Sequence, residues 1–418
     1  MRTAVVLFTR DLRVHDNPAL HAACAAADRV VPLFVRDPSV PSSPHRDAFL
    51  AEALADLRAS LRQRGGDLVI RTGDPVREAV SLATAVGAFG IAAASDVSAY
   101  AARRQRRLAD ACAAERLSLK LFDSLTIVPP GQLRPGSGGD HYKVFTPYWR
   151  AWLAAKHRAE LAAPGRVTLP DGVACGRLPG PTRPGGGETA GRRRLQAWAP
   201  DSPAYADHHD DLAGDRTSRL SAYLHFGCVS PVSVAAAVDS DALVRQLCWR
   251  DFYQQVLLGF PELPAKAYRP GVREEWKADP EALAAWQAGQ TGVPIVDAGM
   301  RQLAAEGFMH NRARLITASF LTKHLWVDWR DGAAWYASLL LDADIANNNG
   351  NWQWVAGTGN DSRPYRRFNP LRQADRYDPA GDYVRRYVPE LAGLAGAAAH
   401  RPWEHGGAKG YPRPIVDI

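Results

Sequence analysis

"TAVVLF" (residues 3–8) is an unbroken apolar run of the length expected for a parallel strand covered on both faces. The same texture returns at "RVVPLFV" (29–35), "DLVIR" (67–71), "GIAAA" (90–94) and "LSLKLF" (117–122), with helical patterns in the intervals. In the strongest of these, Asp47 to Arg64, the residues Phe49, Leu50, Ala53, Leu54, Leu57 and Leu61 share one face, and Gly65–Gly66 ends it. Five strands alternating with helices predict an α/β N-terminal domain on a five-stranded, parallel, doubly wound sheet, residues 1–128. No GxGxxG follows the first strand, so a dinucleotide fingerprint is not supported.

Beyond this region the texture changes twice. From Pro129 to Gly187 the chain is rich in Pro and Gly ("PPGQLRPGSGGD", "LPGPTRPGGGE"), which reads as a long connection, residues 129–195, interrupted by a short helix near Tyr148–Ala159. After it helical periodicity dominates, at Ala242–Leu258, Glu281–Ala288, Val296–Glu306, Asn311–Leu325 and Ala333–Leu341, and predicts an all-α domain over 196–418. The 418 residues suffice for such a chain, and 46% hydrophobic with 23% charged residues excludes both wholesale disorder and a coiled-coil rod. No run approaches the ~20 apolar residues that span a bilayer, and "MRTAVVLFTRDLR" is too short and too soon charged for a signal peptide, so the cytoplasm is expected. Cys24, Cys112, Cys175, Cys228 and Cys248 lie far apart without a CxxC pair and suggest neither a metal nor a disulfide framework. Lys and Arg exceed Asp and Glu by 51 to 44, a net charge of +7 that tilts toward polyanionic partners. Most of the twelve tryptophans fall after residue 198.

Four helical-domain segments carry more polarity or more indole than a core needs. "GDRTSRLSAYLHFG" (214–227) crowds Thr217, Ser218 and Ser221 at an expected helix start, which suits a phosphate or an ordinary cap. "LCWRDFYQQ" (247–255) sets Trp249 beside Arg250 on an otherwise apolar helix. "GFMHNRARLITASFLTKHLWVDW" (307–329) places His310, Asn311, Arg312 and Arg314 where cations oppose the helix dipole, so a partner anion is expected. "LLLDADIANNNGNWQWVAGTGND" (339–361) reads as a poor helix and a poor strand but a good polar lining for a flat heteroaromatic ligand, with Asp342 able to pair with Arg314.

Taken in order, "TSRLS", "WRDF", "TGVPIVDAGMRQL", "MHNRAR" and "WQWVAGTG" resemble the photolyase/cryptochrome family, most of all its microbial class I members that act on cyclobutane pyrimidine dimers. The likeness runs from "VVLFTRDLRVHDNPAL" (5–20) to "YPRPIVDI" (411–418). It implies deoxyribodipyrimidine photo-lyase activity: light-driven electron transfer from reduced FAD into a dimer flipped out of UV-damaged DNA, an event for which photolyases are themselves a standard example. By position Tyr205, Thr217, Ser218, Arg219, Leu220 and Ser221 would meet the FAD phosphates and ribose, and Asn311, Arg314, Asp342, Ala343, Asp344 and Asn348 the isoalloxazine. Trp249 and Trp354 would pack on the flipped dimer; Gln246, Arg250, Asn311, Arg312 and Leu315 would complete its pocket, and His209, Arg366 and Gln373 would meet the DNA strand. Trp352, Trp329 and Trp276 match the indole triad that photoreduces oxidised FAD.

Some positions depart from the pattern. Gln246 stands where dimer photolyases commonly have Glu, and His209 where a phosphate-binding Arg is usual, which would make DNA affinity depend on pH. Ala99 and Tyr100 replace the Asn and Glu of the folate antenna site, whereas Arg46, Asp96 and Arg104 match the 8-hydroxy-5-deazaflavin type better than methenyltetrahydrofolate. Members of the family usually continue past "PIVDI" with one more helix. A monomer is expected, because DNA needs one open face. The alternatives are a cryptochrome-like blue-light receptor and, below it, (6-4) photoproduct repair, whose two histidines are Asn311 and Leu315 here.

Overall fold

A computed structural model describes residues 1–180, 185–272, 274–360 and 365–418; part of the expected connection, 181–184, and the last residue of the asparagine-rich segment lie outside them. The strands are β1 (Thr3–Phe8), β2 (Arg29–Arg36), β3 (Val69–Thr72), β4 (Ala88–Ala94) and β5 (Ser118–Phe122). The helices are α1 (Pro18–Ala26), α2 (Pro44–Arg62), α3 (Pro75–Ala85), α4 (Ala99–Ala114), α5 (Phe145–Ala154), α6 (Glu188–Trp198), α7 (Tyr205–His208), α8 (Ser221–Phe226), α9 (Pro231–Ala237), α10 (Asp241–Gly259), α11 (Pro280–Ala288), α12 (Pro294–Glu306), α13 (Asn311–Lys323), α14 (Trp329–Leu339), α15 (Ile345–Ala356), α16 (Pro370–Tyr377) and α17 (Asp382–Tyr387). They fall into two compact units, residues 1–203 with 218–261, and residues 204–217 with 262–418.

In the first unit the sheet is parallel throughout, in the order β3-β2-β1-β4-β5. Every β1 residue is buried because its two faces feed two cores. Ala4, Val6 and Phe8 pack with Leu20 and Ala23 of α1 and Leu54, Leu57 and Leu61 of α2. Val5 and Leu7 pack with Val76, Ala79 and Leu82 of α3 and Leu108 and Cys112 of α4. That division is the doubly wound arrangement, and it explains why the strands read as apolar runs rather than alternating ones. Asn17, Ser43, Asp74 and Ser98 cap α1 to α4, each accepting from a first-turn backbone N–H.

The Pro/Gly-rich connection is docked rather than free. Val167 N donates to Arg64 O, Val30 N to Thr168 O and Ile70 N to Cys175 O, so it satisfies backbone groups beside β2 and β3. The helix expected over 148–159 is α5, which starts earlier and ends at Ala154. Phe145 and Trp152 are buried at its two ends, and the His157 ring nitrogen meets the Trp152 carbonyl at 2.9 Å, closing the last turn.

The second unit is helical, around Trp286, Met300, Leu303, Phe320, Leu321, Trp329, Tyr336 and Trp352. Asp297 organises one end by accepting from Thr291 N, Thr291 Oγ1 and Gly292 N at 2.7–3.0 Å and from the Tyr411 hydroxyl. One expectation is overturned: the asparagine-rich segment forms α15. Asp344 caps it by accepting from Asn347 N at 2.9 Å, Trp352, Val355 and Ala356 bury one face, and Gly357 ends it at φ 82°. Capping and burial outweigh poor intrinsic propensity there. Among the described residues no helix is long and apolar enough to cross a membrane.

Candidate functional site

Within the helical unit, α13 begins at His310, whose Nδ1 accepts from Arg312 N at 3.2 Å. Burial pushes the His310 pKa down to about 4, so the ring is neutral and able to accept. The anions expected opposite the α13 cations are carboxylates of the protein. Arg312 grips Asp210 with both arms of its fork, Nε at 3.1 Å and Nη2 at 2.5 Å, and lies 4.3 Å over the Tyr377 ring. Burial opposes ionisation of Asp210, yet hydrogen bonds from His209 and Arg312 hold its carboxyl well below the usual range. Tyr205 and His209 lie with ring centroids 5.2 Å apart, and His209 Nδ1 is 3.1 Å from Asp210. Arg312, His209 and Asp210 therefore form one ionic cluster.

Arg314 donates from Nη2 to Asp342 Oδ2 at 2.9 Å and from Nε to Met309 O at 2.8 Å, as the sequence anticipated for the pair. Asp344 N bonds Asp342 O at 2.6 Å, which brings Asp342, Ala343 and Asp344 together ahead of α15. One turn on, Asn348 Nδ2 donates to Ala333 O at 2.9 Å. With one amide N–H held on α14, the groups it has left to offer are the second N–H and the acceptor Oδ1. The Thr217 hydroxyl is buried without a hydrogen-bond partner, as is Gln373 Oε1; buried polar atoms of this kind suit a polar ligand. Asn311 is exposed, Leu315 packs against the core, and Arg366 lies 5.2 Å over the Trp354 ring.

The triad indoles grade from inside to outside: Trp329 and Trp352 are buried, Trp276 only partly. A Cβ added to Gly332, one turn beyond Trp329 on α14, would stand 2.2 Å from Trp352 Cη2, so glycine there lets that ring lie on the helix. Trp352 also meets Tyr336 edge-on at 4.9 Å.

In the other unit Ser218 to Leu220 form a loop ahead of α8, which is short and has no side-chain cap, so the hydroxyls are not the cap of a long helix start. Arg219 sits at φ 50°, Arg194 Nε holds Ser218 O at 2.6 Å, and Ser218 Oγ accepts from Leu220 N at 3.4 Å. A non-glycine residue at positive φ is kept only where its surroundings impose it. Trp249 stacks on Phe145 at 3.6 Å with planes 4° apart and meets Phe252 edge-on. Gln246 is exposed on the same helix. Arg250 turns inward: Nη1 donates to the Leu125 carbonyl, and Asp251 lies beside it. Asp251 is buried and accepts from Ile127 N, Val128 N and Trp152 Nε1, each at 3.0 Å; burial raises its pKa to about 6 against those contacts.

Arg10, just after β1, donates to Asp96, just after β4, at 3.2 Å. This pair bridges the C-terminal ends of the strands where the winding reverses, the usual ligand crevice of such sheets. Arg104 lies 5.5 Å over the Tyr100 ring, whose hydroxyl donates to Asp37, and burial with that carboxylate raises the Tyr100 pKa to about 12. Arg46 sits half-buried in the first turn of α2. A separate cavity of about 290 Å³, lined among others by Phe34, Leu54, Ile70, Arg36 and Arg177, touches none of Arg46, Asp96 and Arg104. Among the described residues no cluster of three or more His, Cys, Asp or Glu could hold a metal.

Comparison with known proteins is consistent across the chain. Residues 4–165 match the DNA photolyase family model, and residues 243–418 match the FAD binding domain of DNA photolyase. The chain is 49% identical to a deoxyribodipyrimidine photo-lyase of Streptomyces griseus, over 100% of this chain and 97% of that one, and 38% identical to a cryptochrome DASH of Natronomonas pharaonis, over 100% and 98%. A bacterial class III photolyase structure from Agrobacterium tumefaciens superposes with a TM-score of 0.93 at 35% identity, covering 100% of this chain and 95% of the other. The chain belongs to the photolyase/cryptochrome family.

Its helical part is therefore a photolyase-type FAD-binding domain. Three residues that the structure sets against the proposed site residues were not singled out from the sequence: Asp210, Phe145 and Asp251. Asp251 was visible inside "WRDF", and a partner anion was expected for the cations at the start of α13, but nothing local marked Asp210, about a hundred residues from Arg312, as that partner.

Proposed function

We propose that this chain is a deoxyribodipyrimidine photo-lyase, repairing cyclobutane pyrimidine dimers in UV-damaged DNA by light-driven electron transfer from reduced FAD. The full-length likeness to the S. griseus photo-lyase supports this most. FAD supplies the electron and the light absorption. The side chains hold, orient and exclude water. Tyr205, Thr217 and Ser218–Ser221 are proposed for the phosphates and ribose, with the partnerless Thr217 hydroxyl as the clearest open position. The Arg314–Asp342 pair sets a fixed dipole beside the ring system, Asn311, Ala343 and Asp344 border it, and Asn348 presents an acceptor oxygen that suits a ring N–H of the reduced state.

For the DNA, Trp249 and Trp354 are the proposed stacking rings, Phe145 and Arg366 lying against them. Gln246 and Leu315 are proposed to line the lesion, and His209 and Gln373 to meet the strand. Arg312 and Arg250 are proposed to complete the lesion pocket, with Asp210 gripping the first and the Leu125 carbonyl the second. Trp352, Trp329 and Trp276 are proposed as the photoreduction wire. The division into 1–128, 129–195 and 196–418 is retained as the functional one, with Arg46, Asp96 and Arg104 around an 8-hydroxy-5-deazaflavin antenna, in a monomer acting in the cytoplasm. The cryptochrome DASH relatives make a blue-light receptor the second reading.

The deciding experiment illuminates the reduced, FAD-loaded protein with an oligonucleotide carrying one thymine dimer and follows recovery of thymine absorbance. Repair in light and none in darkness is expected; no recovery in light favours the receptor.

A further inference from the structure

The outer end of the tryptophan wire is built around an acid that no part of the repair mechanism uses. Glu274 sits two residues before Trp276 and is half-buried. Its Oε2 accepts from Trp276 Nε1 at 3.4 Å. The same carboxylate is clamped by Arg330, Nη1 at 2.7 Å and Nη2 at 3.1 Å. Arg330 in turn lies 4.8 Å over the Trp329 ring and also bonds Asp328 at 3.0 Å. One acid and one guanidinium thus touch the last two indoles, the Glu274 carboxylate interacting with Trp329 as well as with Trp276.

The charges have a direction. A guanidinium over the face of Trp329 disfavours positive charge on that ring, whereas a carboxylate at the edge of Trp276 favours it. Arg330 faces the carboxylates Glu274 and Asp328, with Asp331 beside them, so the group at the outer end is net negative. Burial opposes ionisation of Glu274, but hydrogen bonds from Arg330, Trp276 and Trp329 together hold it below the usual carboxyl range, and so it is ionised and able to take a proton.

We propose that Glu274 is the proton acceptor that terminates photoreduction, taking the indole N–H proton of Trp276 once that ring has lost an electron. The inference rests on the triad reading given above. The step balances. Bound FAD, oxidised and light-excited, would supply the oxidant; Trp352 would give up one electron to it, Trp329 would refill Trp352 and Trp276 would refill Trp329. The positive charge then resides on Trp276; its N–H bond breaks, the bonding pair stays on nitrogen to leave a neutral radical, and the proton goes to a Glu274 oxygen. The loss of charge makes return of the electron slow, which gives an external reductant time to act. The geometry is within reach of such a transfer, since hydrogen bonds of this kind tighten as charge develops.

The test uses flash spectroscopy on the full-length, FAD-loaded protein with oxidised flavin, comparing wild type with Glu274→Gln and Glu274→Asp. Expected in wild type is fast conversion of the tryptophan radical cation to the neutral radical, at a rate independent of buffer concentration. In Glu274→Gln conversion slows at least tenfold and becomes proportional to buffer base, and Glu274→Asp restores much of the rate. An unchanged, buffer-independent rate in Glu274→Gln overturns the proposal. Thermal unfolding of the flavin-free variants and repair by chemically pre-reduced protein are both expected to match wild type; a lowered midpoint in Glu274→Gln, with Glu274→Asp equally slow, would reassign Glu274 to holding Arg330. Trp276→Phe keeps the two questions apart: if the long-lived radical survives that change, the triad reading fails, whereas its loss there with an unaltered rate in Glu274→Gln defeats only the proton-acceptor assignment.

Discussion

Asp251 shows most plainly what one buried residue does here. Its carboxylate is fully enclosed, gathers three N–H groups, and titrates near 6 because burial disfavours its charge. An acid with a folded pKa above its unfolded value of about 3.9 binds more protons in the folded state between those limits, so its stabilising contribution is present below about pH 4 and lost as pH rises through 6. The loss amounts to about 3 kcal/mol at most. Urea unfolding across that range should show Asp251→Asn losing less stability with rising pH than wild type; parallel profiles would mean that the carboxyl does not titrate with folding. Trp249 and Trp354 make a different prediction. Replacing either by Ala should weaken binding of dimer-containing DNA by about 1–3 kcal/mol, roughly 5- to 150-fold in Kd, with FAD content unchanged. A Kd within error of wild type in both variants, by fluorescence anisotropy, would remove the stacking assignment.

At the scale of elements, α14 and α15 carry two predictions. Asp344→Ala removes the α15 cap and should cost about 1 kcal/mol in flavin-free protein, whereas Asp344→Asn, which keeps an acceptor, should cost less; equal losses in urea unfolding would point away from capping. Gly332→Ala forces a methyl against Trp352 and should cost about 1–3 kcal/mol, slowing photoreduction more than repair by pre-reduced protein; equal effects on both would argue against Trp352 as the inner member of the wire. These elements also mark where the sequence was legible. The five strands announced themselves because a sheet wound on both faces leaves no polar positions in its inner strands, and β1 occupies residues 3–8 as expected. The Arg314–Asp342 pair was legible from chemistry alone. Helix α15 was not, because three asparagines carry low propensity and the deciding contributions, a cap and the buried Trp352 face, depend on tertiary packing. Nor was the docking of the Pro/Gly-rich connection, since backbone N–H and C=O groups do it and leave no mark in side-chain identity.

On the scale of the whole molecule, the net charge of +7 and the family's DNA substrate require an electrostatic component to binding. The Kd for dimer-containing DNA should rise steeply with salt, by about 0.9 log unit per log unit of salt for each phosphate neutralised in duplex DNA. A flat dependence would contradict phosphate contacts by the strand-facing residues. What joins these scales is that the cofactor does the chemistry, while the protein fixes its surroundings and presents the lesion. The action spectrum of dimer splitting by flavin-loaded, antenna-free protein tests this most directly. The account predicts that splitting efficiency follows the absorption of reduced FAD wavelength by wavelength and vanishes when FAD is removed. Splitting that persists without flavin, or that follows another absorber, would contradict it.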